Sequence, residues 1–402
     1  MAEREDVLFI DGVRTPFGRA GEKGMYWNTR ADDLIVKAMM GLLERNPKVP
    51  GARIDDVAIA ATTQQGDQGL TLGRTAAILA GLPLSVPGLA IDRMCSGAMT
   101  ATALMGSAIG FGQMELAIAG GVEHMGRHPM GFDADPNPRF LAEKLVSPDA
   151  LNMGITAERL HDRFPQLTKE RADRFAMGSQ HKAAAAYEAG HIQADLIPVA
   201  LKTEAGWGLA DRDELMRPET TMEGLADLKT PFRPHGRVTA GNASPLTDGA
   251  TACLLASSST AKELGLAPKM RMVSFGFAGV EPEVMGLGPI PSTEKALRLA
   301  KLSIDDIGLF ELNEAFAVQV LSFLDHFGIS DDDARVNQWG GAIALGHPLA
   351  SSGVRLMNQL ARQFELHPEV RYGVTAMCVG LGQGGTVIWE NPHHAHYGKK
   401  AR

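Results

Sequence analysis

Residues 95–106 read CSGAMTATALMG and residues 347–358 read HPLASSGVRLMN, and each is a small-residue turn that opens a helix. The shift that lays one over the other is shared, to within two residues, by a second pair: Ile54-Asp55-Asp56-Val57 precedes one strand-like run, and Ile304-Asp305-Asp306-Ile307 precedes another 250 residues later. The chain therefore reads as two duplicated α/β halves. In the first, the strand-like runs DVLFIDGV (6–13), DVAIAAT (56–62) and ELAIAGG (115–121) alternate with helix-like runs such as ADDLIVKAMMGLLER (31–45), the pattern of an α/β protein with buried sheets. Residues 122–249 break the pattern. They are rich in charge, Pro and helix formers, as in LTKERADRFAMGSQHKAAAAYEAG (167–190), and read as an inserted domain. Strand character returns in TACLLASS (251–258), so the first half is residues 1–121 with 250–269, and MRMVSFGFAGV opens a second half, 270–402.

With 402 residues, 45% hydrophobic and 21% charged, the chain is a folded multi-domain protein and not a disordered one. A net charge of −8 argues against nucleic acid as the main partner, because phosphate backbones are bound by basic surfaces. A single anionic cofactor needs only a local basic patch. Three cysteines, Cys95, Cys253 and Cys378, are too few for a secreted disulfide framework and indicate reduced thiols in the cytoplasm. The amino terminus, MAEREDVLFIDGVRTPFG, fits a first strand better than a signal peptide. The weakly polar stretches 97–122 and 338–360 are interrupted by Gly, Ser, Gln, Asn or charged residues, so no membrane span is expected. The tail NPHHAHYGKKAR (391–402) holds three histidines without an ordered partner set, and reads as a fraying end rather than a metal site.

Cys95 lies where an extended segment runs into a helix. Backbone N–H groups and the positive end of the helix dipole favour a thiolate there, although a buried cysteine acting as a small hydrophobe fits the same position. His347, in a Gly-rich turn stiffened by Pro348, is either the base for that cysteine or a structural histidine, and its equivalence to Cys95 across the repeat favours the base. Cys378 sits between an apolar strand and a loop with glycines at 380, 382, 384 and 385, as a strand-end residue or on an active-site rim. The loop lacks the Lys-Ser/Thr signature of a phosphate-binding P-loop. Asn313 and Glu314 form a polar pair at a strand-to-helix junction, where Asn is also a good helix cap. Cys253, within DGATACLLASS, reads as core.

Together these segments resemble the thiolase family along nearly the whole chain: FIDGVRTPFGR (9–19), CSGAMTA (95–101), AGGVEHM (119–125), MGITAE (153–158), TAGNASPLTDGA (239–250), ELNEAFA (311–317), GGAIALGHPL (340–349) and MCVGLGQGG (377–385). GGVEHMG, RPETTMEGLADL and CVGLGQGG are most similar to the degradative β-subunits of bacterial fatty-acid oxidation complexes. The resemblance implies a layered αβαβα thiolase fold, each half with a mixed five-stranded sheet, plus a loop domain over a coenzyme A site. It implies that Cys95 is the nucleophile that becomes acylated, that His347 takes its proton, and that Cys378 exchanges a proton with the departing or incoming fragment. Asn313, through a bound water, and His347 would serve the thioester oxygen, and the N–H groups of Cys95 and Gly380 a second oxyanion. Ser244 and Met153 would line the pantetheine channel, where a turn hydroxyl and a packing methionine are the plainer readings; Asn152 and Pro245 depart from the common family pattern of His and Gly.

No permanent cofactor or metal is implied; coenzyme A is a co-substrate. Partners implied are a second copy of the chain and an α-subunit carrying enoyl-CoA hydratase and 3-hydroxyacyl-CoA dehydrogenase activities, in an α2β2 assembly. The activity implied is cleavage of 3-ketoacyl-CoA to acetyl-CoA and a shortened acyl-CoA. Rival readings are a biosynthetic acetoacetyl-CoA thiolase, a decarboxylating ketoacyl synthase, against which Cys378 speaks, and a non-catalytic lipid carrier.

Overall fold

The computed structural model describes residues 5–131, 133–203 and 206–399. The first half runs β1 (Val7–Arg14), the short β2 (Gly18–Arg19), α1 (Ala31–Arg45), β3 (Asp56–Ala60), α2 (Leu72–Leu79), β4 (Leu89–Ile91), α3 (Gly97–Gly110) and β5 (Leu116–His124). The region that follows carries α4 (Arg139–Ala142), α5 (Met153–Arg163), α6 (Lys169–Glu188), the hairpin β6 (Val199–Thr203) with β7 (Gly206–Ala210), and α7 (Met222–Ala226). The chain returns with β8 (Thr247–Ser257) and α8 (Ser258–Leu264). The second half is β9 (Met270–Gly279), α9 (Pro289–Ala300), β10 (Ile307–Leu312), α10 (Ala317–Phe327), α11 (Ala342–Leu345), α12 (Ser352–Leu366), β11 (Tyr372–Val379) and β12 (Gln383–Glu390).

The strands β1, β5, β8 and β11 are buried at every position, which is why they are mostly apolar or small residues, with charged side chains such as Asp11, Arg14, Glu123 and Asp248 as the exceptions. In α1, Leu34, Ile35, Ala38, Met39 and Leu42 make the buried stripe, while Asp32 and Asp33 in the first turn and Arg45 in the last complement the helix dipole.

The repeat is visible in the strand order, β1-β8-β5-β3-β4 in one half and β9-β12-β11-β10 in the other, with β3 beside β5 and β10 beside β11 both parallel. The halves meet edge to edge, β1 pairing antiparallel with β9 from Val7↔Met272 to Phe9↔Met270, so the two sheets are one. The second half has four strands where five are expected. Its fifth is reduced to one parallel bridge between Phe310 and Val336. The next residue, Asn337, takes φ 43°, and its side chain replaces the missing ladder: Leu312 N–H donates to its Oδ1 at 2.8 Å, and its Nδ2 donates to the Leu312 carbonyl at 2.9 Å.

Helices α3 and α12 pack on each other between the inner faces of the two half-sheets, α1 and α2 cover one outer face, and α9 and α10 the other. Among the described residues no helix is long and apolar enough to cross a membrane. The tail differs from the expected fraying end. Through Lys399 it turns back on the sheet, with Asn391 Nδ2 donating to the carbonyls of Phe364, His367 and Val370, and Gly398 N–H to Glu390 Oε2. Residues 400–402 of that tail and 1–4 of the amino terminus lie outside the described residues.

The central helices approach so closely that a Cβ on Gly353 of α12 would lie 2.6 Å from the backbone nitrogen of Met99 in α3. Gly353→Val should therefore destabilise the chain by about 1–3 kcal/mol or more, read as a lowered Tm, with Ala less severe than Val.

Candidate active site

Cys95 sits in a single helical turn, Met94–Ser96, ahead of α3. Asp92 Oδ1 accepts the Met94 N–H at 2.6 Å, and Met94 is held at φ 43°, a left-handed conformation that a methionine rarely takes. The thiol is buried. Burial is the first influence on it and pushes it up to about 12; N–H donors from Gly380 and from Cys95 itself oppose the shift only in part. The dipole-stabilised thiolate expected from the helix start is thus outweighed by loss of solvent, and the resting group is a thiol.

The turn Met94–Ser96 packs against the corresponding turn of the second half, Leu349–Ser351, which follows His347. The His347 backbone N–H donates to Thr247 Oγ1 at 3.0 Å. Ser352 Oγ lies 2.9 Å from the Pro348 carbonyl and 2.6 Å from His347 Nδ1. Since a carbonyl can only accept, the serine hydrogen goes to Pro348, Oγ accepts from Nδ1–H, and Nε2 keeps the lone pair. Burial first, and then the Arg355 charge, holds His347 down to about 3, so the imidazole is neutral at physiological pH.

Asn313 lies just past β10, with its Nδ2 against the His347 ring, 3.3 Å from Nε2 and 3.4 Å from Nδ1. It is not a helix cap: Phe316 precedes α10, with no side-chain cap. Its neighbour Glu314 is structural, accepting from Ser179 Oγ at 2.6 Å, Asn337 Nδ2 at 2.8 Å and Ile343 N–H at 3.2 Å. Cys378 lies at the end of β11, fully buried; burial drives its thiol well above the ordinary range, and the nearby Cys95 sulfur pushes the same way. Gly380 follows in the turn to β12. A Cβ there would meet Met94 Sδ at 2.6 Å and Met153 Sδ at 3.6 Å, so the loop lies close over the Cys95 turn and a side chain at 380 would have to displace Met94. Met153, the first residue of α5, is thereby at the same rim, and Asn152 caps α5 through Gly154 and Ile155 N–H groups at 3.1 and 3.3 Å.

Ser244 stands one step back. Its N–H donates to the Ala315 carbonyl at 2.9 Å, and the next residue's carbonyl, of Pro245, accepts from Thr247 Oγ1 at 2.6 Å. Pro245 also walls a cleft of about 270 Å³ lined by Arg217, Thr221, Leu228, Ala240 and Ile343. Cys253 lies in β8, away from this site, its sulfur 3.6 Å from Thr102 Oγ1. Among the described residues there is no group of side chains able to hold a metal ion.

Sequence reasoning missed four residues that shape the site. Thr247 and Ser352 fix His347; Arg355 touches Asn313; and the buried carboxylate of Glu123 accepts N–H groups of Thr62 and Ala350, each at 3.1 Å, tying the turn after His347 to the first half.

Residues 7–259 match the family described as thiolase, N-terminal domain, and residues 266–391 match thiolase, C-terminal domain. The chain belongs to the thiolase family, whose members are acyltransferases. It is 44% identical to a 3-ketoacyl-CoA thiolase of Photobacterium profundum, over 96% of this chain and 99% of that one. It is 41% identical to one from Escherichia coli O1:K1 / APEC with the same coverage. The crystal structure of human mitochondrial 3-ketoacyl-CoA thiolase superposes with a TM-score of 0.87 at 32% identity, over 97% of this chain and 100% of that one.

Because the Cys95 thiol is pushed up rather than down, its thiolate fraction should grow with each unit of pH above neutrality. Alkylation by iodoacetamide, followed at Cys95 by mass spectrometry, should keep accelerating from about pH 7 to about pH 10. A plateau near neutral pH would instead reveal a preformed thiolate.

Proposed function

We propose that this chain is a degradative 3-ketoacyl-CoA thiolase, cleaving 3-ketoacyl-CoA with coenzyme A to acetyl-CoA and a shortened acyl-CoA in fatty-acid β-oxidation. The observation that carries the reading is the convergence of two thiols, a neutral imidazole whose Nε2 holds the lone pair and an amide donor, from both halves, under one glycine loop.

Each group has a task that its surroundings suit. Cys95 Sγ attacks the C3 keto carbon as its proton passes to His347 Nε2, and the N–H groups of Cys95 and Gly380 meet the oxyanion. Cleavage of C2–C3 leaves an enolate, whose thioester oxygen is served by the Asn313 amide through a bound water and by the now protonated His347. Cys378 supplies the proton to C2, and acetyl-CoA departs. Coenzyme A then gives its thiol proton to Cys378 and attacks the acyl group on Cys95; the collapsing intermediate releases Cys95, which recovers its proton from His347. Since both thiols rest protonated, charge appears only during attack, where the oxyanion donors wait for it.

Met153, at the rim beside Gly380, is read as the start of a pantetheine path that continues past Ser244, and the cleft beyond Pro245, lined by Arg217 together with Glu219, is read as the seat of the coenzyme A phosphates, with Arg217 as their cation. For partners, we read a homodimer through the first half, supported by β4 as the last strand of the sheet and by Leu70 and Leu84, exposed at 87% and 74%. The α2β2 complex with a hydratase/dehydrogenase α-subunit rests on the likeness of the 120–126, 217–228 and 378–385 segments, and a cytoplasmic setting on three free cysteines.

Thiolysis of acetoacetyl-CoA and 3-ketohexadecanoyl-CoA, followed by loss of ketoacyl-CoA absorbance, tests this reading. Faster cleavage of the long chain, abolished in Cys95→Ala, is expected; activity confined to acetoacetyl-CoA would instead assign the biosynthetic reaction. Ser352→Ala should lower kcat by roughly 10- to 100-fold through loss of the His347 tautomer. Arg217→Ala should raise KM for coenzyme A about tenfold at nearly unchanged kcat, the loss of one charge-assisted hydrogen bond.

A further inference from the structure

Arg355, on the first turns of α12, is among the largest side chains with no exposure at all. Its polar contacts are two neutral amide oxygens: Nη1 donates to Gln359 Oε1, and Nη2 to Asn313 Oδ1 at 3.2 Å. Nε has no partner. The nearby carboxyl of Glu311 does not fork with it; Glu311 Oε1 accepts from Gln363 Nε2 at 2.7 Å, and Oε2 is without a partner. A guanidinium buried in this way is costly, and an apolar residue of like volume would pack the helix more cheaply. Burial draws Arg355 down from its ordinary value, against the nearby carboxyls of Glu311 and Glu314, and a guanidinium keeps its proton inside proteins.

The geometry around Asn313 shows what the cation does there. With Oδ1 accepting from Arg355, Nδ2 is turned to the His347 ring, 3.3 Å from Nε2 and 3.4 Å from Nδ1. A flipped amide would set its NH2 against the guanidinium and its oxygen against the Nε2 lone pair, losing both contacts.

We propose that Arg355 is a positioning residue for the reaction proposed above, on which this inference rests: it locks the Asn313 amide with its donor toward the thioester oxygen and keeps a positive charge behind that donor as the enolate forms. Arg355 does not touch substrate. It acts through Asn313, and the two should be energetically coupled.

The test is a double-mutant cycle on the full chain: wild type, Arg355→Lys, Asn313→Ala and the double variant, each with its Tm, kcat and both KM values for thiolysis. Lys keeps the charge and loses the planar fork. Arg355→Lys should lower kcat about 10- to 100-fold with KM values within about twofold, and should change kcat by less than about twofold once Asn313 is Ala. Equal losses in the two backgrounds, a loss confined to KM, or wild-type kcat in Arg355→Lys would each overturn the proposal. Absence of cleavage by the wild type would overturn the reaction itself, and this role with it. Should Arg355→Lys fail to fold, Gln359→Leu, which keeps the cation and removes its second anchor, is compared in the same two backgrounds and read by the same criteria.

Discussion

Everything in the candidate site depends on the contact between α3 and α12 at the centre of the molecule. Cys95 and His347 each precede one of these helices, and where Gly353 presses onto the Met99 backbone the turns beside them meet. Neither half contains a complete site. The edge pairing of β1 with β9 then fixes the halves relative to each other, so helix crossing and sheet continuity hold the same geometry from two sides.

Burial in that centre sets the electrostatics. Desolvation is the leading influence on Cys95, His347 and Cys378 alike, and it favours the neutral form of each. A site of neutral groups avoids the penalty of keeping an ion pair dry while it waits for substrate. The exception is Arg355, whose charge stands behind an amide and not in the reaction path.

The duplication was legible because it leaves a one-dimensional trace: the same small-residue helix start after the same strand, twice. The motif residues Cys95, His347, Asn313 and Cys378 stand out because each lies at the end of a strand or the start of a helix, where pattern changes are easy to see. Thr247, Glu123 and Arg355 were not legible as site residues. Thr247 and His347 are 100 residues apart and Glu123 and Ala350 are 227 apart, and nothing local to either partner announces the contact. The missing fifth strand of the second half was hidden for a different reason. Asn337 imitates a ladder with its side chain, and a strand expectation has no means of counting side-chain amides as backbone. The helix-dipole argument for a Cys95 thiolate was sound locally and lost to an amount of burial that only the assembled layers create.

The pairing of β1 also bears on how the chain comes to be folded. Val7 has Ser257 on one side and Met272 on the other, so β1 has neither neighbour until the chain has been made as far as β8 and β9. β5 likewise waits for β8 across the whole intervening region. Local helices and the parallel β3–β5 pair can form early, whereas sheet closure is long-range and late. During synthesis the apolar face of β1 is therefore a surface in need of shelter, and the nascent chain should depend on chaperones more than its compact final form would suggest.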